Sequence, residues 1–420
     1  MNKFDYDVVV IGSGPSGIGA ATALVKAGVK NIVVFERETR IGGIPRHTNH
    51  PSFGLLVFKR PMSGPKFIKC LLRQCPGVHF ETTTTVVAVK RNGQLDLATL
   101  DGLKTIRARH IIIATGARET PRHGRLISGL RPRGIITTGA LQQFVNTIKL
   151  YPFLKPVIVG TELVSFSAIW TLRAAGIKPV AMIEKNSRIT AYRPAALFAR
   201  LLGVPIYYNT IVADIGDMFD TRKIEILNAN SESRTLACDS IIFSGNFVGE
   251  NSLAHEGHLK LNSKTRIPKV DQNWLSSDLQ ISVVGNATHP ADMGDQCYIE
   301  GKSAGVAVAA ILQQGQTITD TVEVQHDEGI RLTTPSIVRI PKLGRTHFDL
   351  CMHVTKPYTG IIEIRFGDDI AYRRLHRCMP ARRVRLKNIS LNNSDLNDQA
   401  EIHISLKSRS RKHSDKLPGH

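Results

Sequence analysis

The chain has 420 residues, 42% hydrophobic and 21% charged, with a formal net charge of +20. That length predicts about three domains, each able to bury its own core. The longest apolar stretch near the end, Ala304 to Leu312, is too short to span a bilayer. No basic-then-apolar leader precedes the first strand, so a cytoplasmic protein without a transmembrane segment is expected. Six cysteines, at 70, 75, 238, 297, 351 and 378, are scattered without zinc or iron–sulfur spacing, and no metal site is expected. The charge is uneven, residues 331–420 holding 18 Lys and Arg against 8 Asp and Glu. Such a field attracts nucleic acid, anionic lipid or an acidic partner subunit, and leaves peripheral membrane contact open. Lacking aromatic interleaving and any nucleic-acid motif, the chain is not expected to bind nucleic acid.

Residues 7–36 read as a complete dinucleotide-binding βαβ unit. Gly12 turns the chain sharply out of the first strand, Gly14 leaves room for a pyrophosphate, and Gly17 lets helix and strand pack closely. The helix N-terminus then faces the phosphates with free N–H groups and partial positive charge. Glu36, with Arg37 beside it, ends the second strand, where a carboxylate accepts ribose hydroxyl protons. The loop from Gly42-Gly43 through Arg46, His47, His50, Phe53 and Gly54 is too rich in breakers and polar rings to be core. Gly64-Pro65 opens an amphipathic helix to about Gln74, and strands follow around 78–89 with a hairpin turn at Arg91-Asn92-Gly93. Residues 108–117 form a buried strand ending in the small-residue turn Ala114-Thr115-Gly116.

A second βαβ unit starts at Pro156, so the architecture is duplicated. Residues 240–245 close it. The strand ending at Gly285-Asn286 and a helix over 296–314 complete the first domain. Strands dominate 332–391. The predicted organisation is a first dinucleotide-binding Rossmann-like domain (1–148 and 246–325), an inserted second Rossmann-like domain (149–245), a β-rich module (331–391) and a basic mobile tail (392–420).

This order of segments resembles the two-dinucleotide-binding-domain flavoproteins of the glutathione-reductase structural class, over residues 5 to about 315. Three FAD fingerprints carry the likeness: GxGxxG at 12–17 with Glu36, Ala114-Thr115-Gly116, and Gly285-Asn286. The stretches 42–65, 117–122 and 137–142 look like a bacterial branch. Its relatives accompany glycerol-3-phosphate-dehydrogenase-like proteins or serve as the FAD subunit of opine and amino-acid oxidising complexes. The resemblance implies that Gly12, Gly14 and Gly17 cradle the FAD pyrophosphate and that Glu36 and Arg37 lie at the adenosine ribose. It places Val86 beside the adenine and Ala114-Thr115-Gly116 beside the flavin, which the turn at Gly43 borders, and counts Arg46 among the cofactor-binding residues. Gly285 and Asn286 meet the ribityl and pyrophosphate region, and a helix after Tyr298 aims its N-terminus at the ring.

Two departures steer the chemistry. The redox CxxxxC pair of the disulfide reductases is missing from 42–54; Cys70 and Cys75 have that spacing later, but five helical residues set them about 140° apart. Disulfide reduction is therefore not expected. In the second unit Glu162 and Ser165 replace the second and third glycines after Gly160. A carboxylate about 4 Å from a phosphate charge opposes binding by about 4 kcal/mol at an effective dielectric near 20, so NAD(P)H is not expected as the regular electron partner. His47 and His50 are the candidate catalytic groups, His289 a weaker one, and Arg46 a candidate anion ligand. The expected function is an FAD-dependent oxidoreductase moving a hydride or electron pair between a small polar metabolite and a second subunit. Its rivals are a self-sufficient NAD(P)H oxidoreductase and a flavin-binding scaffold with a basic recruitment module.

Overall fold

The computed structural model describes residues 4–151, 153–216, 223–315, 319–380, 382–393 and 401–408. It resolves into two compact units: unit 1 is 1–261, 266–268 and 276–314, and unit 2 is 262–265, 269–275 and 315–420.

Unit 1 is built on two parallel-centred sheets. In the first, β1 (Tyr6–Ile11), β2 (Ile32–Phe35), β3 (His79–Glu81), β4 (Thr85–Val89), β5 (Gln94–Thr99) and β6 (Gly102–Ile113) lie in the order β3-β2-β1-β6-β5-β4. Val8, Val9 and Val10 are fully buried, as are Ile111 and Ile112, because central strands of a parallel sheet are covered on both faces and read as continuous apolar runs. Helix α1 (Pro15–Lys26) is buried from Pro15 to Leu24, and α2 (Gly64–Leu72) turns Phe67, Ile68 and Leu71 inward.

The second sheet holds β7 (Ile135–Thr137), β8 (Pro156–Val159), β9 (Ala181–Ile183), β10 (Ile206–Tyr207) and β11 (Ser240–Phe243) in the order β10-β9-β8-β11-β7, with α3 (Leu163–Ala174) crossing from β8 to β9. The second domain thus starts before residue 149, since β7 already pairs in parallel with β11. Three residues are too few for a strand to stand out in the sequence. β12 (Ile281–Val283) returns to the first sheet beside β6, and α4 (Gly294–Gln314) lies along α1. Glycine permits that contact: a Cβ on Gly301 would collide with the Ser16 carbonyl, and one on Gly19 with the Tyr298 carbonyl.

Unit 2 packs two sheets around one core. β13 (Asp320–His326), β14 (Ile330–Thr334), β15 (Ile337–Ile340), β16 (Arg345–Val354), β17 (Tyr358–Phe366), β18 (Asp369–Cys378), β19 (Val384–Asn392) and β20 (Ile402–Lys407) form sheets of order β15-β13-β20-β17-β18 and β14-β16-β19. The module therefore starts earlier and ends later than 331–391. The mobile-tail expectation fails at 402–407, where β20 is a central strand, parallel to β13 and antiparallel to β17. Its alternation Ile402-His-Ile404-Ser buries both isoleucines completely. The rest of the expected tail, 394–400 and 409–420, lies outside the described residues.

Candidate functional site

The carboxyl ends of β1, β2 and β6 form the first crest. Gly12 has φ +101°, and a Cβ there would stand 2.6 Å from the Ala114 carbonyl oxygen. Gly14 is the N-cap of α1, and a Cβ there would meet nothing within 4 Å. No side chain caps this helix and no acid occupies its first turn, which leaves its end N–H groups and positive pole turned to that space. Glu36 is buried; its carboxylate accepts from Ser13 N at 3.0 Å, Ser13 Oγ at 2.5 Å and Glu38 N at 3.0 Å. Arg37 beside it is exposed. Thr84 N donates to the Glu36 carbonyl at 3.0 Å, which brings the segment leading to buried Val86 alongside the acid. Ala114 N donates to the Ile11 carbonyl at 2.9 Å, Thr115 Oγ1 donates to the Glu250 carbonyl at 2.6 Å, and Gly116 has φ +80° with open space above it.

The breaker-rich loop folds back over this crest. Gly42 N donates to Ser13 Oγ at 3.0 Å, and a Cβ on Gly43 would lie 3.0 Å from the Gly14 Cα. A short 3-10 turn, Ile44–His47, follows. His47 is 4% exposed, and both of its ring nitrogens are buried without a hydrogen-bond partner among the described residues. Burial pushes its pKa down to about 4, with the Arg46 guanidinium adding to the shift, so the ring is neutral at pH 7. His50, half-buried and stacked on Phe53 with centroids 5.3 Å apart, is likewise lowered to about 4 by burial, and its Nδ1 bonds to Ser52 Oγ at 2.6 Å. Arg46 turns away from the anion-binding role expected of it. Its Nη2 pairs with Glu38 at 2.7 Å and its Nη1 donates to the Arg40 carbonyl at 2.8 Å, because Glu38 offers a carboxylate within the same loop.

Gly285 has φ +66° and lies against Ser16 at the start of α1, where a Cβ would collide with Ser16 Oγ. Asn286 spends its amide on Asp292, accepting from its N–H at 2.9 Å and donating to its carbonyl at 3.3 Å. His289 is buried behind that turn, its N–H donating to the Gly285 carbonyl at 3.0 Å. The final helix begins at Gly294, four residues before Tyr298, which is buried inside it and donates its hydroxyl to Gln74 at 2.9 Å.

Three further groups escaped the sequence reading. Asp295, fully buried in the first turn of α4, accepts from Gly54 N at 2.8 Å and from Leu56 N and Val57 N at 3.0 Å. An acid at a helix start was the available signal. Gln142 accepts from Thr48 Oγ1 at 3.1 Å, and Asn146 donates to the His47 carbonyl at 2.8 Å; together they pin the loop to the segment entering the second sheet.

The second crest repeats the first with two alterations, Glu162 and Ser165 in place of glycines. Gly160 has φ +116°, Thr161 donates to Glu184 across a very short hydrogen bond, and Asn186 N donates to Glu184 at 2.9 Å. Glu162 sends its carboxylate across to the turn after β11, where Oε1 accepts from Asn246 N at 2.9 Å and any Cβ on Gly245 would collide with it. Arg125 donates to the Ser244 and Gly245 carbonyls at 3.1 and 2.8 Å; burial lowers its pKa, and Glu119 and Glu162 oppose that shift. Glu119 accepts from Gly139 N at 2.8 Å and Gly245 N at 2.9 Å, and burial raises its pKa. Cys70 and Cys75 are both free. Cys75 lies beyond the end of α2, so the helical-angle argument does not reach it; its thiol is buried, and burial raises its pKa.

The first crest fits an FAD. An uncapped helix end, clear space over Gly14 and a strand-tip carboxylate are the complements of a pyrophosphate and a ribose. Fold and site together define an FAD-dependent oxidoreductase with two Rossmann-like halves. The model of the pyridine nucleotide-disulphide oxidoreductase family matches residues 6–315, and the chain belongs to that family. One of the subunits of the opine oxidase of Rhizobium meliloti (strain 1021) is 26% identical over 335 residues, covering 73% of this chain and 68% of that protein. The alpha subunit of sarcosine oxidase from the same organism is 25% identical over 78% of this chain, which spans only 33% of that longer protein. Among solved structures, thioredoxin reductase of T. acidophilum shares the fold with a TM-score of 0.60 at 16% identity, covering 73% of this chain and 99% of that one.

Proposed function

We propose that the protein oxidises a small polar metabolite, an amine, opine or hydroxy acid, and passes the electrons to a second protein subunit. The observation that carries this reading is His47, a buried neutral imidazole with two unpartnered nitrogens next to the Gly42-Gly43 turn. In the disulfide reductases that neighbourhood carries the redox cysteines; here 42–54 holds none. Bound FAD supplies the two-electron chemistry. Once the loop uncovers its ring, neutral His47 offers one N–H and one lone pair to a substrate amine or hydroxyl and orients it, the loop itself being held by Gln142, Asn146 and Asp295. Glu162 across the second crest argues against a nicotinamide nucleotide as electron partner. Similarity to subunits of opine and sarcosine oxidases supports both the substrate class and a heteromeric assembly.

The test is anaerobic bleaching of the flavin by a panel of small metabolites, with NADH, NADPH and dithiols as controls. Bleaching by an amine, opine or hydroxy acid alone is expected; reduction by a nicotinamide nucleotide coupled to disulfide turnover would overturn the reading. His47→Ala should slow metabolite bleaching by about 10²-fold. Its melting temperature should change little, the cavity left by the ring offsetting the loss of two unpartnered buried nitrogens.

A further inference from the structure

A second feature of unit 1 lies outside the cofactor cradle. No Asp or Glu occurs between Glu38 and Glu81, while seven Lys or Arg fall in that interval. Phe53 and Met62 close the neck of a projecting loop through paired backbone hydrogen bonds, Phe53 N to the Met62 carbonyl at 3.2 Å and Met62 N to the Phe53 carbonyl at 2.8 Å. The inner wall of the loop is fixed by Asp295 and by Phe58, whose ring meets Phe67 of α2 edge-on at 6.0 Å. What remains outside is Leu55 and Leu56, each 44% exposed, followed by exposed Lys59 and Arg60. Helix α2, against which the loop packs, shows Lys66, Lys69 and Arg73 on its solvent side at i, i+3 and i+7. Among the described residues none of these five cations pairs with a carboxylate.

We infer that the 54–61 loop and the outer face of α2 dock the protein onto an anionic lipid surface. Two adjacent leucines at a rigid tip supply shallow apolar insertion, and unpaired cations behind them meet a diffuse field of headgroup phosphates. An acidic protein partner fits less well. A protein partner would have to present a negative patch in fixed register with these cations, whereas a headgroup field needs no register and suits cations spread along a loop and a helix face behind an apolar tip. The docking needs no flavin, so it stands or falls apart from the proposed reaction.

The test is flotation of the purified full-length holoprotein with phosphatidylcholine vesicles, with and without roughly a third phosphatidylglycerol, at low and physiological salt. Binding to the anionic vesicles alone, weakened by salt, is expected. Leu55→Ser/Leu56→Ser and Lys59→Glu/Arg60→Glu should each weaken it about tenfold at unchanged flavin content and melting temperature. Equal binding to neutral vesicles, no binding at low salt, or binding undiminished by either double variant overturns the proposal, the last assigning the attraction to the other basic residues of the chain. So does capture of an acidic protein by this face without any vesicle association.

Discussion

The two βαβ units are the same device in two conditions. Gly12, Ser13 and Glu36 recur as Gly160, Thr161 and Glu184, with equal separations. Each glycine N–H donates to the end of its neighbouring strand, Gly12 to Phe35 and Gly160 to Ile183, both at 2.8 Å. Each hydroxyl reaches its acid, and each acid accepts from the backbone N–H two residues on. The units part at Gly14 and Gly17 against Glu162 and Ser165. Strand-tip hydrogen bonding thus maintains the fold of a dinucleotide domain independently of the cradle glycines, and at the second crest the carboxylate of Glu162 reaches the turn after β11 where the first crest has only Gly14.

The comparison can be broken most forcefully by moving its key difference. Gly14→Glu places a charge over α1 where a Cβ meets no obstacle, so the chain should fold but lose about 4 kcal/mol of FAD affinity, roughly a thousandfold. Flavin-to-protein ratio and titration of the apoprotein measure it; full flavin retention would show that the first crest is not the pyrophosphate site. The reciprocal Glu162→Gly/Ser165→Gly should raise nicotinamide nucleotide affinity at least about tenfold, read by calorimetry against the parent chain.

Acid should sharpen the contrast, because the first sheet buries His110 where the second, in equivalent register, has Ser240. Burial pushes His110 down to about 4, while the unfolded ring titrates near 6.5. The unfolded chain therefore takes up the proton first. Stability is full above about pH 6.5 and falls as pH drops toward 4, by roughly 2 kcal/mol between pH 7 and 5. His47, His50 and His353, also lowered to about 4 by burial, add losses of the same sign, so urea midpoints in His110→Gln should show the acid loss reduced by about 2 kcal/mol and not abolished; parallel curves would remove His110 as a source. The smallest effect concerns the longer crossing of the first unit, residues 37–78 against 185–205. Asp295→Asn should cost about 1 kcal/mol and raise hydrogen exchange at Gly54, Leu56 and Val57 without altering the second crest.

Glycine phasing made both βαβ units readable in the sequence, because backbone approach at Gly12, Gly17 and Gly160 tolerates few other residues. Glu162 in place of the second glycine was equally plain, though not the direction its side chain takes. What stayed hidden depends on contacts between distant segments. Arg46 looks like an anion ligand until Glu38 folds onto it, Asp295 gains meaning only from the loop 238 or more positions earlier, and β7 exists only through β11. β20 did carry its period-two alternation, but polar flanks masked a six-residue strand.

That strand has a consequence for biosynthesis. β20 enters the middle of its sheet, between β13 and β17, so those two strands have no shared neighbour until residue 407 has left the ribosome. Unit 2 must wait for nearly its entire length to be translated, and a protease nick between 393 and 401 would sever the connection to an inner stave of the sandwich instead of trimming its rim.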